Sequence, residues 1–170
     1  MALTGPGLEM RLSLKFVRVV TLAGWVGAIV YFAAVVTEGA FAVLPSQDEA
    51  GLLVGFTLGG LHVMGLVSAA IFVIASLALA KGLRAFSRSS VAGVILMGLL
   101  TMVSQYHVMP RMARLRSQMG SVDRTPRSDP RRAEFDRLHR VSVDIEGAVL
   151  LIGLIALFLT LREDRPRAEG

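Results

Sequence analysis

The side chains of this sequence that are best suited to chemistry are imidazoles and carboxylates, which collect at one end of a set of long apolar segments. Such groups can bind a divalent metal or relay protons, and two histidines on facing helices can ligate a haem iron. Ionisable side chains are costly inside a bilayer, so a cluster of them is a functional-site hypothesis. The residues are His62, His107, His139, Glu38, Asp144 and Glu146.

No diagnostic motif selects one of these chemistries. The histidines do not fall into HxxxH, ExxH or CxxCH spacing, and neither a GxSxG elbow nor a zinc-protease motif is present. A purely structural role also remains open, in which His62 bonds a neighbouring helix while the other groups meet interfacial water. A metal site, a proton site, a haem site and a structural cluster are therefore all possible, and the pattern favours a non-enzymatic protein.

The apolar residues are concentrated in four stretches, each close to or above the roughly 20 residues that cross a bilayer. The chain of 170 residues is 54% hydrophobic, with a mean hydropathy of +0.61. We predict one membrane domain over residues 1–170, an all-α bundle of four transmembrane helices, with the first span retained rather than cleaved as a signal peptide. The spans are expected near residues 16–36, 52–80, 91–109 and 141–161.

The connection between the third and fourth spans, residues 110–140, is rich in arginine and long enough to hold helical extensions beyond the bilayer. Gly120 is a candidate left-handed stop for the third helix. Asp129 followed by Pro130 indicates an N-cap and the first residue of the fourth helix. The chain has no cysteine, which excludes disulfides and thiolate ligands.

One face of the fourth helix should carry part of the polar cluster. His139, Ser142 and Glu146 are spaced at i, i+3 and i+7, so they fall within about 60° of one another at 100° per residue. Asp144 lies about 140° from His139 by the same arithmetic. The expected inward set is therefore His62, His139, Ser142 and Glu146, with Glu38 and His107 as outer candidates.

Small residues predict where helices approach one another. Gly51, Gly55 and Gly59 repeat every four residues at the start of the second span, a pattern that permits close helix contact. We interpret them as packing within the bundle, although a homo- or hetero-oligomeric contact would use the same pattern. Trp25 begins an apolar face of the first helix and is also assigned to packing.

The net charge of +5 is carried largely by arginines that flank the apolar spans. This arrangement favours contact with anionic lipid headgroups rather than with nucleic acid. Lysine and arginine are tied at nine on each side of the predicted bilayer, so the positive-inside rule gives no majority. The basic flank before the first span favours both termini in the cytoplasm.

Several short patterns resemble the transmembrane protein 205-like family, also known as domain of unknown function 4149. The resemblance extends from about residue 22 to residue 161 and implies four transmembrane helices. No biochemical activity is established for that family, whose members are loosely linked to resistance against metals or metal-containing drugs. The patterns are Trp25 followed by Phe32, Phe41-x-x-Leu44-Pro45, Ala50-Gly51-Leu52, His62, Pro110-Arg111 and Phe135-Asp136-Arg137-Leu138-His139-x-x-Ser142.

The sequence departs from the family pattern at two positions. Glu146 stands where the family motif has asparagine, seven residues after His139, and Glu38 stands where relatives tend to be apolar or proline. Both changes make the polar cluster more ionisable than the resemblance implies. We expect a small transport or stress- or metal-resistance component, with a metal- or haem-binding redox subunit as the alternative and a membrane-embedded enzyme as a weaker one.

Overall fold

Long helices account for almost all of the structure, which is a computed structural model that describes residues 6–80 and 82–164. Four of its helices are long and apolar enough to cross a membrane, as the sequence predicts. We call them the first span (Gly7–Val43), the second span (Gln47–Ala80), the third span (Ser89–Met119) and the fourth span (Pro130–Glu163). The second and fourth have 34 residues each, about 50 Å at 1.5 Å per residue, so they exceed the hydrocarbon thickness.

The four spans pack in a ring. Within the described residues, the first span contacts the second and the fourth, and the third span also contacts the second and the fourth. The second and fourth spans therefore stand across a diagonal. The buried apolar core lies between all four, around Trp25, Phe72, Met97 and Val149.

The first helix runs further than the sequence predicts. It continues past residue 36 as a π-helical segment, Phe32–Thr37, and then as α-helix, Glu38–Val43. Leu44 is extended, with ψ of 144°, because the residue before a proline is driven out of the helical region, and Pro45 follows it. The turn is therefore short, and the second helix begins at Gln47 rather than near residue 52.

The third helix contains a wide turn before its proline. It consists of α-helix Ser89–Val103, a π-helical segment Ser104–Val108, and α-helix Met109–Met119. Pro110 has no N–H to offer the carbonyl of Tyr106 four residues earlier, and its ring crowds that carbonyl. The π segment accommodates this defect, so the helix passes through Pro110 and continues beyond the expected span to Met119, in agreement with the predicted extension. A short 3₁₀ turn, Leu83–Ser87, precedes the helix. Lys81, one of the basic residues between the second and third spans, lies outside the described residues.

The predicted signals of the third connection are confirmed. Gly120 ends the third helix with φ of +72°, a conformation that glycine adopts without a Cβ clash. The Asp129 carboxylate caps the fourth helix by accepting from the Arg131 N–H at 2.8 Å. A second hydrogen bond, from the Arg131 side chain, is the main reason that the pKa of Asp129 falls to about 2.

The long connection is anchored to the start of the second span by one carboxylate. Asp48 accepts from the Ser121 hydroxyl at 2.5 Å and from the Val122 N–H at 2.9 Å. The Asp48 N–H in turn donates to Asp123 at 3.2 Å. These bonds join the start of the second span to the connection between the third and fourth spans, so the two lie at the same end of the bundle.

Candidate functional site

The interior of the bundle holds one histidine, His62, which bridges the third and fourth spans. Its side chain is 1% exposed. Nδ1 lies 2.8 Å from Oε1 of Gln105, and Nε2 lies 2.7 Å from Oε1 of Glu146. We call His62, Gln105 and Glu146 the His62 triad. The triad joins the second, third and fourth spans through two hydrogen bonds. Hydrogen bonds are directional, so they fix the relative positions of these side chains more closely than apolar contacts do.

The chemistry of the three groups determines where the protons lie. With the Gln105 oxygen facing the ring, as at 2.8 Å here, Nδ1 of His62 carries a hydrogen and donates it. A neutral imidazole would then present a lone pair at Nε2 to Glu146, which must be protonated to donate to it. If His62 is instead an imidazolium, Glu146 is a carboxylate. In both forms one proton lies between Nε2 and Oε1, and the pair has no net charge.

The local fold explains how these residues meet. Gln105 lies in the π-helical segment caused by Pro110, and such segments are frequent at functional sites. Glu146 is 16% exposed and sits beside the buried stripe of the fourth helix, from which its side chain reaches inward. Ser142, one turn earlier, is buried as predicted. Ser104 is buried next to Gln105, and within the described residues its hydroxyl has no hydrogen-bond partner.

The structure does not bring the other candidates into the triad. His139, His107 and Glu38 are all exposed. The inward stripe of the fourth helix runs through Phe135, Leu138, Ser142, Val149 and Gly153. At 100° per residue His139 lies about 70° from the centre of that stripe, so the expectation that it faces inward is corrected. Asp144 is exposed, as its helical angle indicates.

A metal site receives no geometric support from the placement of the acids and histidines. In residues 6–80 and 82–164, no three histidine, aspartate or glutamate side chains converge closely enough to hold an ion. His62 and Glu146 are neighbours, but His139 and His107 point away from them. Gln105, the third member of the triad, is a neutral amide that the sequence analysis did not consider.

The residues assigned to packing have different surroundings. A Cβ on Gly51 would lie 2.6 Å from the Arg116 guanidinium, so this glycine makes room for an arginine of the third span. Gly55 and Gly59 have no heavy atom within 4 Å of a built Cβ. Trp25 is 2% exposed, and its ring occupies the space beside Gly65, where a Cβ would lie 2.4 Å from it. Close packing thus uses Trp25 and Gly65, and the expected role of Gly55 and Gly59 inside the bundle is corrected.

A second buried polar cluster, which the sequence analysis missed, lies at the opposite end of the bundle. The Arg18 guanidinium is fully buried and contacts both carboxylate oxygens of Asp164, at 2.8 and 3.0 Å. It also donates to the Ser90 hydroxyl at 3.1 Å and lies 3.5 Å from Glu163. The ring of Phe72 packs against it, 4.9 Å from the guanidinium carbon. We call these five residues the Arg18 cluster.

A sequence signal for the Arg18 cluster did exist. Arg18 falls inside the first predicted span, residues 16–36, where an arginine is costly unless it is paired. Arg18 also belongs, with Arg11 and Lys15, to the basic residues near the start of the first span from which the orientation is predicted. Its partners Glu163 and Asp164 are close to the end of the last helix, and nothing in local spacing connects residues so far apart in the chain.

The four apolar helices and their packing fit an integral, multi-pass membrane protein with an all-helical bundle. The chain belongs to the family described as domain of unknown function (DUF4149), whose sequence model matches residues 20–121. The match includes His62 and Gln105, whereas Ser142 and Glu146 follow it. The match supports the resemblance to domain of unknown function 4149, and it does not confirm the name transmembrane protein 205-like. Comparisons with curated proteins and with solved structures gave no match.

Proposed function

We propose that this protein is a small, non-enzymatic membrane transport component in which His62 and Glu146 bind and release a proton. The observation that carries the proposal is the 2.7 Å contact between His62 Nε2 and Glu146 Oε1 in the interior of a four-span bundle. Ionisable groups placed inside a membrane protein characteristically mark proton or ion pathways.

The energetics of this pair suit proton-linked transport. The shared proton keeps the pair neutral, whereas its loss leaves one negative charge and a further proton adds one positive charge. Either charge is strongly disfavoured in apolar surroundings unless water or another group compensates it. Proton exchange therefore requires the bundle to admit water to the site, which couples proton binding to opening of the helices.

The groups around the pair support this reading. Gln105 from the third span is neutral, and the first span contributes apolar packing around Trp25. Asp144 and His139 on the fourth span are exposed and face away. Within the described residues, the ion pair of His62 is with Glu146 alone, so no third charge stabilises a deprotonated state.

A haem or redox role has less support from the geometry. Both ring nitrogens of His62 are engaged in hydrogen bonds, so neither is free to ligate iron. His107 and His139 are exposed on separate spans and do not face His62. A connection with stress or metal resistance rests on the family resemblance, and proton-linked export is the form of it that the His62 triad supports.

The proposal is tested by proton entry into liposomes that contain the purified protein and enclose a pH-sensitive dye. A potassium gradient with an ionophore supplies the membrane potential. We expect wild type to acidify the lumen faster than protein-free liposomes, and His62→Gln to reduce the added rate at least about tenfold, as loss of a proton-transfer group does. His139→Gln, the same change at an exposed position, is expected to keep the rate. Equal rates with and without wild-type protein would contradict the proposal.

A further inference from the structure

We propose that Gln105 is a positioning residue for the His62–Glu146 pair. Its amide turns through 180° when the pair gains or loses a proton, and so stabilises the histidine tautomer that belongs to each protonation state. The inference rests on the proposed proton-binding function and assigns a role to a neutral residue of the triad. Gln105 is suited to this because its side chain ends in an acceptor on one side and a donor on the other. The structure shows the acceptor, Oε1, at 2.8 Å from Nδ1 of His62.

In the proton-loaded state the triad holds two protons. One is on Nδ1 and is donated to the Gln105 oxygen, and the other lies between Nε2 and the Glu146 oxygen, 2.7 Å away. All facing atoms are then matched as donor and acceptor. No lone pair opposes another lone pair.

Release of one proton to water leaves a single proton on the imidazole and a carboxylate at Glu146. If that proton stayed on Nδ1, the Nε2 lone pair would face the carboxylate at hydrogen-bond distance, a repulsive arrangement. If it sits on Nε2 it is donated to Glu146, but the Nδ1 lone pair then faces the Gln105 oxygen. Buried polar groups left unmatched in this way are costly.

A turn of the Gln105 amide resolves the second arrangement. Its NH₂ group then donates to Nδ1, while Nε2–H donates to the Glu146 carboxylate. The state that has released one proton can satisfy all of its hydrogen bonds only through both a change of histidine tautomer and the amide turn. The third span, whose π-helical segment carries Gln105, is in this way coupled to a proton bound between the second and fourth spans.

The test is nitrogen NMR of ¹⁵N-histidine in the lipid-embedded protein, which distinguishes the two tautomers and the imidazolium. The background is His107→Gln with His139→Gln, so that only His62 is labelled. From acidic to alkaline pH we expect the hydrogen on Nδ1 to be lost and the alkaline form to be the Nε2–H tautomer. Gln105→Leu can neither accept from nor donate to Nδ1, so the pH at which Nδ1 loses its hydrogen should shift from the wild-type value, while the alkaline form stays Nε2–H because Glu146 still accepts that hydrogen.

Persistence of hydrogen on Nδ1 at every pH in the wild-type triad would overturn the role of Gln105, and so would loss of the Nδ1 hydrogen at the same pH in Gln105→Leu as in wild type. Gln105→Asn keeps both amide groups on a shorter side chain, so its pH for the loss of the Nδ1 hydrogen should lie between those of wild type and Gln105→Leu. The outcome is separable from the proposed function, because proton flux into liposomes can be normal without the tautomer change, and the tautomer change can occur in a protein that conducts no protons.

Discussion

At the residue scale, two buried ionisable side chains, His62 and Arg18, organise the polar interior of the protein. His62 is satisfied by one amide and one carboxyl group, and its net charge is adjustable by a proton. Arg18 is instead a permanent cation, held by Asp164, Glu163 and Ser90. The first arrangement suits reversible chemistry, whereas the second suits structural closure of the opposite end of the bundle.

Replacing Arg18 by methionine should therefore destabilise the fold strongly. The change leaves Asp164 and Glu163, which are 11% and 22% exposed, without their buried cation. Breaking a buried ion pair from one side costs about 3–5 kcal/mol. Thermal unfolding in detergent should show a clearly lower midpoint for Arg18→Met, and little change for Arg11→Met, the same substitution at an exposed position of the same helix. A midpoint equal to that of wild type would show that the Arg18 cluster is not a stabilising contact.

At the element scale, a large ring of the first span packs against a glycine of the second span. Trp25 fills the space next to Gly65, and this glycine was not part of the small-residue pattern that the sequence analysis selected. Gly59 belongs to that pattern and faces open space. Spacing alone identifies small residues but does not show which of them faces a neighbouring helix.

Alanine substitution should separate these two glycines. A Cβ at residue 65 would lie 2.4 Å from the Trp25 ring, which cannot move without disturbing the core. Overpacking of this kind costs about 1–3 kcal/mol, so Gly65→Ala should lower the thermal midpoint. Gly59→Ala meets no neighbour and favours the helix, so its midpoint should equal or exceed that of wild type. The reverse order of the two midpoints would contradict the assigned helix contact.

The elements themselves follow closely from local sequence signals. Four apolar stretches predicted four spans, and Gly120, Asp129 and Pro130 predicted where helices end and begin, because capping depends on adjacent residues. The π-helical segment before Pro110 was not predicted. A proline can end a helix or distort it, and the surrounding helices decide between these outcomes.

The candidate site was predicted only in part. His62 and Ser142 are buried and Glu146 contacts His62, whereas Asp144 is exposed, and the role of these residues as a site stays a prediction. His139 was misplaced because a rotation of about 70° about the helix axis separates inward from exposed, and helix packing sets that rotation. Gln105 was overlooked because a neutral amide shows its role only when the atoms opposite it are known.

At the scale of the whole molecule, the two polar clusters lie at opposite ends of an apolar core. The Arg18 cluster is on the side of the two termini, and Asp48 joins the start of the second span to the third connection at the other end. This arrangement follows from four spans in a ring. The bilayer sides are assigned by the basic flank of the first span, from which we predict that both termini are cytoplasmic.

Single introduced cysteines test that orientation, since the chain has none of its own. Gln47→Cys, at the start of the second span, and Ser128→Cys, in the third connection, are exposed positions at one end of the bundle, and Ser87→Cys is exposed at the other end. We expect a membrane-impermeant maleimide to label residues 47 and 128, but not 87, in intact cells. Labelling of residue 87 alone would show that the orientation is the opposite one, with both termini outside the cytoplasm. Labelling of only one of 47 and 128 would contradict the four-span arrangement.

The central claim is that a proton shared by His62 and Glu146 carries the function, and the most direct measurement is the rate of proton entry into liposomes for two matched variants. Glu146→Gln and Asp144→Asn each neutralise one acid on the fourth span, two residues apart, but only Glu146 contacts His62. We predict that Glu146→Gln reduces the protein-dependent rate at least about tenfold, whereas Asp144→Asn leaves it unchanged. Equal rates for the two variants would contradict the account.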